Sequence, residues 1–289
     1  MTARELTSEN RRFSAMPALA PTHISMEEAL RNNWLELWYQ PKIDLRRKCL
    51  AGAEALARIR HPKEGMLWPE EFLPDTDEEG LLRLTEHALL TTLRSWSMFS
   101  DAGFNLHLAI NIPASALSML PIAQIVTENR PRSENWPGLI LEITEDQIVR
   151  DIAVAQRVAP ELKACGVSIA IDDFGAGYSS FSSLRSVPFA ELKVDTSFVK
   201  NCATDANNAA ICQTAIDLAH RFGSVAVAEG IESMTDLQAL VVMGCDFGQG
   251  MLVAPPMTRE RFLELLRQRS KRPAQPQAAA TGMAAAAAG

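Results

Sequence analysis

Short apolar runs ending on an acid or an amide recur along this chain, and most give way to a segment with helical spacing. The runs occupy residues 35–40, 50–54, 106–111, 139–142, 167–172, 191–195, 225–229 and 245–249. Most are β-branched or apolar on both faces, as parallel strands buried on two sides require. Segments 85–99, 148–164, 208–222 and 234–243 carry their apolar residues at helical spacing. Strands alternating with helices predict an α/β fold, and about eight such units predict a TIM-like (β/α)8 barrel. Residues 44–48, between the first two runs, are too few for a helical crossover. That pair should therefore be antiparallel, giving a barrel with one reversed strand.

The two ends of the chain differ from its middle. Residues 1–23 carry scattered charge with Pro17 and Pro21, and read as a linker or the stub of an upstream module. From residue 271 onward Pro, Gln and then Ala repeats make a low-complexity tail with nothing to pack. Residues 24–270 contain no Gly/Ser-rich break and read as one domain. The balance of 28 Lys+Arg against 35 Asp+Glu, a net charge of -7, argues against a nucleic acid polymer or an anionic membrane surface as partner. A phosphate-ester ligand would need a local offset to that field, and metal ions supply one. The five cysteines are scattered without a C-x-x-C pair, which fits reduced thiols in a cytoplasmic protein. None of the five histidines sits at zinc-ligand spacing. No apolar run approaches the roughly 20 residues that span a bilayer, and residues 1–10 are too polar for a signal peptide.

Catalytic side chains of α/β barrels project from the carboxyl ends of the strands. Glu54, Asn111, Glu142, Asp172, Asp173, Lys193, Glu229 and Gln249 each lie in or just past a predicted strand, and would gather at one mouth. Taken alone, an acid at a strand end is more often a helix cap or a surface salt-bridge partner. The convergence of so many in a fold that brings strand ends together favours a metal site. Carboxylates and an amide oxygen are hard ligands suited to Mg²⁺ or Mn²⁺. The stretch Gly175-Ala176-Gly177-Tyr178-Ser179-Ser180 lacks the third glycine of a dinucleotide-binding turn and follows two aspartates that would repel a pyrophosphate. It reads instead as a glycine-hinged loop beside a metal pair. No G-x-S-x-G is present, so a serine nucleophile is not expected.

Several ordered motifs together carry a family resemblance. They are Tyr39-Gln40-Pro41-Lys42-Ile43-Asp44-Leu45, Gly52-Ala53-Glu54-Ala55-Leu56-Ala57-Arg58, Ala109-Ile110-Asn111 and Leu141-Glu142-Ile143-Thr144-Glu145. Ile171-Asp172-Asp173-Phe174-Gly175, Leu192-Lys193-Val194-Asp195, Ala228-Glu229-Gly230-Ile231-Glu232 and Gly248-Gln249-Gly250 follow in order. Over residues 24–269 the chain resembles the EAL-domain phosphodiesterases, which hydrolyse the bacterial messenger cyclic di-GMP. The resemblance implies an EAL-type barrel with one antiparallel strand, and cleavage of cyclic di-GMP to linear pGpG with two Mg²⁺ or Mn²⁺ ions per site. It implies that Glu54, Asn111, Glu142 and Asp172 hold one metal, and Asp172 and Asp173 the second. Lys193 and Glu229 would position and deprotonate the attacking water. Gln40, Arg58, Asp195 and Gln249 would serve the substrate side of the site. Glu145 would anchor the glycine-hinged loop, with Glu232 in support. Homodimers are common in the family; a homodimer and a regulatory domain amino-terminal to this chain both stay open here.

Three positions depart from the family pattern: Ala176 where Thr is usual, Met251 where an aromatic residue is usual, and Ile59 where Trp is common. None is a metal ligand, so they bear on loop dynamics and turnover rather than on the reaction. The alternative is a catalytically silent cyclic di-GMP receptor. Such receptors usually lose a metal ligand or the loop-anchoring glutamate, and this chain retains them all.

Overall fold

The computed structural model describes residues 25–176 and 187–270. The predicted linker 1–23, the tail 271–289 and the loop residues Gly177, Tyr178, Ser179 and Ser180 lie outside the described residues. Ten strands form one sheet: β1 (Leu35–Asp44), β2 (Cys49–His61), β3 (Gly65–Leu67), β4 (His107–Asn111), β5 (Leu139–Thr144), β6 (Val167–Phe174), β7 (Glu191–Val194), β8 (Val225–Ala228), β9 (Phe247–Gly248) and β10 (Met257–Thr258).

Strands β2, β4, β5, β6, β7, β8 and β9 run parallel in that order, and β1 closes the ring antiparallel to both β9 and β2. The result is an eight-stranded α/β barrel with one reversed strand, as the short 44–48 connection requires. The tight turn is set by Asp44, whose Oδ1 accepts from Arg46 N (2.9 Å) and Arg47 N (2.7 Å).

Alternation within the strands separates two cores. Leu108, Ile110, Leu139, Leu141, Ile169, Ile171 and Leu192 belong to the large apolar cluster that includes Leu89 and Leu93 of the helix Glu78–Asp101. Ala109, Ile140 and Ala170 form a separate small cluster in the middle of the barrel. Near its amino-terminal end, Lys42 Nζ reaches both carboxylate oxygens of Glu191 (2.7 and 2.5 Å), with both side chains buried. Where β2 meets β4, a Cβ at residue 52 would stand 2.3 Å from His107 O, so only glycine fits there.

Some elements differ from expectation. The apolar periodicity of 148–164 predicts one helix, but two form, Glu145–Arg150 and Ile152–Ala164, broken at Asp151 (φ -115, ψ 33). The first buries Glu145 and Ile148, and the second buries Ala155, Ala159 and Leu162. The run 245–249 contributes only Phe247–Gly248 to the sheet, because Cys245 N still closes the preceding helix on Leu240 O. β1 and β2 extend well past the barrel rim as a ribbon, and β3 adds a third strand to its edge.

Candidate metal centre

Each site residue sits where its strand reaches the mouth. Glu54 lies at the point where β2 leaves the barrel: it pairs with Ala109, the Ala55–Ile110 pair ends the contact with β4, and the ribbon continues alone. Asn111, the last residue of β4, and Glu142, two residues before the end of β5, are direct cross-strand partners. In regular pleating Asp172 and Asp173 would point to opposite faces. A register break between Ile171 and Phe174, with Asp173 in the left-handed region (φ 54), re-aims the pair. Lys193 rises from β7, Glu229 follows β8 with its N–H on Val194 O (3.2 Å), and Gln249 follows β9 with its N–H on Ala228 O (2.9 Å).

These side chains form one network around the Lys193 ammonium, which is 1% exposed. Lys193 Nζ lies 2.8 Å from Glu142 Oε2, 2.8 Å from Glu229 Oε1, 3.1 Å from Asp172 Oδ2 and 3.6 Å from Glu54 Oε2. Glu54 also accepts from Asn111 Nδ2 and Gln249 Nε2, both at 2.5 Å. Gln249 Nε2 reaches Glu229 Oε1 at 3.0 Å as well. Carboxylate oxygens of Asp172, Asp173 and Glu229 lie within 4.8 Å of one another.

The electrostatics follow from five acids meeting one ammonium. Burial pushes Glu142 well above the usual carboxylate range, and Glu54 and Asp172 push it further. Burial likewise lifts Glu229 to about 8, against the pull of Lys193. Asp173 is pushed up to about 6 by partial withdrawal from water and by the neighbouring Asp172 and Asp195. Glu54 moves the other way: burial raises it, but Lys193 and the amide donors of Gln249 and Asn111 outweigh that cost. Lys193 is penalised by burial, yet the carboxylates around it hold its pKa well above the ordinary lysine value.

The donor set suits divalent cations. All the converging ligand atoms are oxygens of carboxylates or amides, with no thiol or imidazole among them. One ammonium does not balance five carboxylates, and buried Gln249 Oε1 has no hydrogen-bond partner. A cluster of this charge is relieved by bound metal ions. The sequence reading placed Glu229 in the converging set and the family resemblance gave it the attacking water rather than a metal; in the structure its carboxylate lies in ligating range with those of Asp172 and Asp173. The topology explains why: β6 and β8 flank β7, so their ends bracket Lys193.

The outlying residues separate into groups. Glu145, 4% exposed, accepts from Gly175 N at 3.0 Å through Oε2. Gly175 takes φ 97 and a Cβ there would stand 2.9 Å from the Phe198 ring, so this position favours glycine. Asp195 caps the short helix Thr196–Val199, accepting from Ser197 N (3.0 Å), and its charge reaches Asp173. Glu232 is exposed and pairs with Lys200 (3.6 Å), away from the carboxylate cluster. Gln40 lies opposite Glu54 in the ribbon, its Nε2 3.4 Å from Ala254 O. Arg58, on the same face of β2 as Glu54, is buried with its guanidinium 4.3 Å from the centroid of the Trp68 ring. A cavity of about 560 Å³ opens beside Asn111, Glu142 and Asp173, walled by Leu81, Leu84 and Gln147. Sequence reading did not single out Trp68 or Gln147; the turn at Gly65, which folds β3 back onto β2, was the available signal for Trp68.

The sequence profile of the EAL domain matches residues 25–256. The chain belongs to the EAL domain family. Its carboxylate mouth is therefore that of an EAL barrel. It is 34% identical over 263 residues to cyclic di-GMP phosphodiesterase PA2567 of Pseudomonas aeruginosa, covering 90% of this chain and 44% of that protein. It is 32% identical over 266 residues to cyclic di-GMP phosphodiesterase RocR of the same organism, covering 90% of this chain and 68% of RocR. The EAL barrel is also similar to the solved PaMucR phosphodiesterase in complex with c-di-GMP: TM-score 0.76 at 34% identity, covering 82% of this chain and 97% of that one. The chain spans less than half the length of PA2567. No helix among the described residues is long and apolar enough to cross a membrane.

Proposed function

We propose that this EAL domain hydrolyses one phosphodiester of cyclic di-GMP to linear pGpG, with two divalent ions, Mg²⁺ or Mn²⁺, at the barrel mouth. The observation that carries the reading is the cluster of Glu54, Glu142, Asp172, Asp173 and Glu229 around one buried lysine. Glu54, Asn111, Glu142 and Asp172 would hold one ion, with Asn111 presenting its amide oxygen, and Asp172 and Asp173 the other. Bound ions supply charge neutralisation and an acidified water, which is what phosphodiester hydrolysis needs from a site without a nucleophilic side chain.

The protein's own groups do the rest. Lys193 adds a fixed positive charge beside the phosphoryl oxygens. Glu229, 2.8 Å from Lys193, would take the proton of the attacking water once bound cations draw down the raised pKa of about 8 that it has in the metal-free cluster. Arg58 and Gln40, on the ribbon face that continues from Glu54, would contact the nucleotide. Asp195 and Gln249 would complete the substrate side, and Glu145 would hold the Gly175 hinge in place. The reading carries a cytoplasmic location, supported by five cysteines that are all free.

Incubating the purified chain with cyclic di-GMP and Mg²⁺ or Mn²⁺, then separating the nucleotides, tests the proposal. Linear pGpG is the expected product. Tight nucleotide binding with no pGpG in either metal would replace the enzyme by a silent receptor.

A further inference from the structure

The environment of Arg58 is built to keep a buried cation uncommitted. Its Nη1 donates to the backbone oxygen of Ala57 (2.7 Å), while its buried Nε has no partner. Its cross-strand neighbour on β1 is Glu36, the carboxylate placed to neutralise it. That carboxylate is engaged elsewhere: Arg60 donates to it through Nε (2.5 Å) and Nη2 (3.0 Å), and Trp38 Nε1 donates at 3.2 Å. On its other side Arg58 meets Trp68. The β2–β3 ladder pairs Ile59 with Leu67, so the next residues along, Arg58 and Trp68, face each other.

The backbone at Trp68 is pinned. Its N–H donates to Glu71 Oε2 (2.8 Å), its carbonyl accepts from Glu71 N (2.9 Å), and Pro69 opens the short helix Pro69–Phe72. The indole lies with its centroid 4.3 Å from the guanidinium carbon and is backed edge-on by Trp38 at 6.2 Å. A ring face orients a guanidinium by cation–π attraction without consuming its N–H donors, whereas a carboxylate would take two of them. Trp68 is itself 42% exposed, so its ring is not there to fill the core.

We infer that Trp68 is a positioning residue for Arg58: its indole, with Glu36 diverted to Arg60, holds the guanidinium free to bind a phosphate oxygen of the nucleotide. This rests on the cyclic di-GMP reading of the same site. Loss of the ring lets the guanidinium swing, and the nearby carboxylate of Glu70 then competes for it.

The test combines turnover with Mg²⁺ and calorimetric binding of cyclic di-GMP with Ca²⁺ for the wild type, Trp68→Ala, Trp68→Phe, Arg58→Ala and the Trp68→Ala/Arg58→Ala double variant. Trp68→Ala is expected to raise KM and Kd about 3- to 30-fold, the range a partly desolvated cation–π contact converts to, with kcat changed less than about twofold. Trp68→Phe should recover most of the affinity. In the Arg58→Ala background the tryptophan substitution should add nothing, because its target is gone. An equal loss of affinity with and without Arg58 would make Trp68 a direct nucleotide contact and overturn the inference. So would unchanged affinity in Trp68→Ala. Failure of the wild type to bind the nucleotide at all would instead overturn the functional reading beneath it.

Discussion

At the scale of single residues, Glu54 binds the network most tightly, since it takes donors from both Asn111 and Gln249 and lies beside Lys193. Replacing it by Ala should lower kcat by at least about 10³-fold while the protein still folds, as read by turnover and a thermal melt. Near-normal turnover would mean that the metal centre lies elsewhere. The raised carboxylates also predict a pH dependence for metal-free protein. Glu229 (about 8) and Asp173 (about 6) keep protons in the folded state that the unfolded chain releases near 4.5 and 3.8. The folded state therefore binds more protons across this window, and stability falls as pH rises from about 4 to about 8. Glu54 shifts the opposite way, so its contribution is lost only below its ordinary value of 4.5. Melting in chelator should occur at lower temperature at about pH 8 than at about pH 5.5, with Mg²⁺ recovering more at the higher pH. A melting temperature that climbs with pH in chelator would contradict these shifts. The carboxylates were legible in the sequence because so many acids recur at strand ends that a barrel gathers at one mouth, although any one of them alone could have been a cap, as Asp195 is. The surroundings of Arg58 were not, because they depend on which residues β3 sets opposite β2.

At the scale of elements, the break in β6 register does what a straight strand cannot, turning two successive aspartates toward one mouth. The sequence showed the two acids but not the bulge, since no local pattern marks Asp173 for a left-handed φ. Just beyond, the Glu145–Gly175 hydrogen bond ties the helix Glu145–Arg150 to the residue that follows β6. Glu145→Ala would leave the Gly175 N–H without its acceptor, costing about 1–3 kcal/mol. We expect kcat to fall by about tenfold or more with the metal affinity little changed, measured by steady-state kinetics and metal titration. If metal affinity collapsed as far as kcat, Glu145 would belong to the ligand set rather than to the loop. The helical break at Asp151 escaped the sequence reading for a related reason. Apolar spacing runs through it unbroken, and the break shows only in the backbone angles of Asp151.

For the whole molecule, closure depends on β1, and the reversed strand was legible because five residues cannot cross a barrel. The buried Lys42–Glu191 pair fixes β1 to β7 across the barrel interior. Glu191→Ala should destabilise the fold by about 3–5 kcal/mol in denaturant titration by stranding the Lys42 charge, and Lys42→Met together with Glu191→Leu should recover much of that loss. A single variant as stable as the double would show that the Lys42 charge finds water instead.

Reversal of β1 also decides which side of the barrel the front of the chain approaches. In a ring of strands that all run one way, the first strand enters from the floor and any preceding chain hangs beneath it. Here β1 starts at the rim, where Leu35 and Ile59 pack with Met26 and Ala29 of the helix Met26–Arg31 in a cluster of their own. A pull or a docked body at residues 25–34 would thus press on the same ribbon that carries Arg58, Trp38 and Gln40.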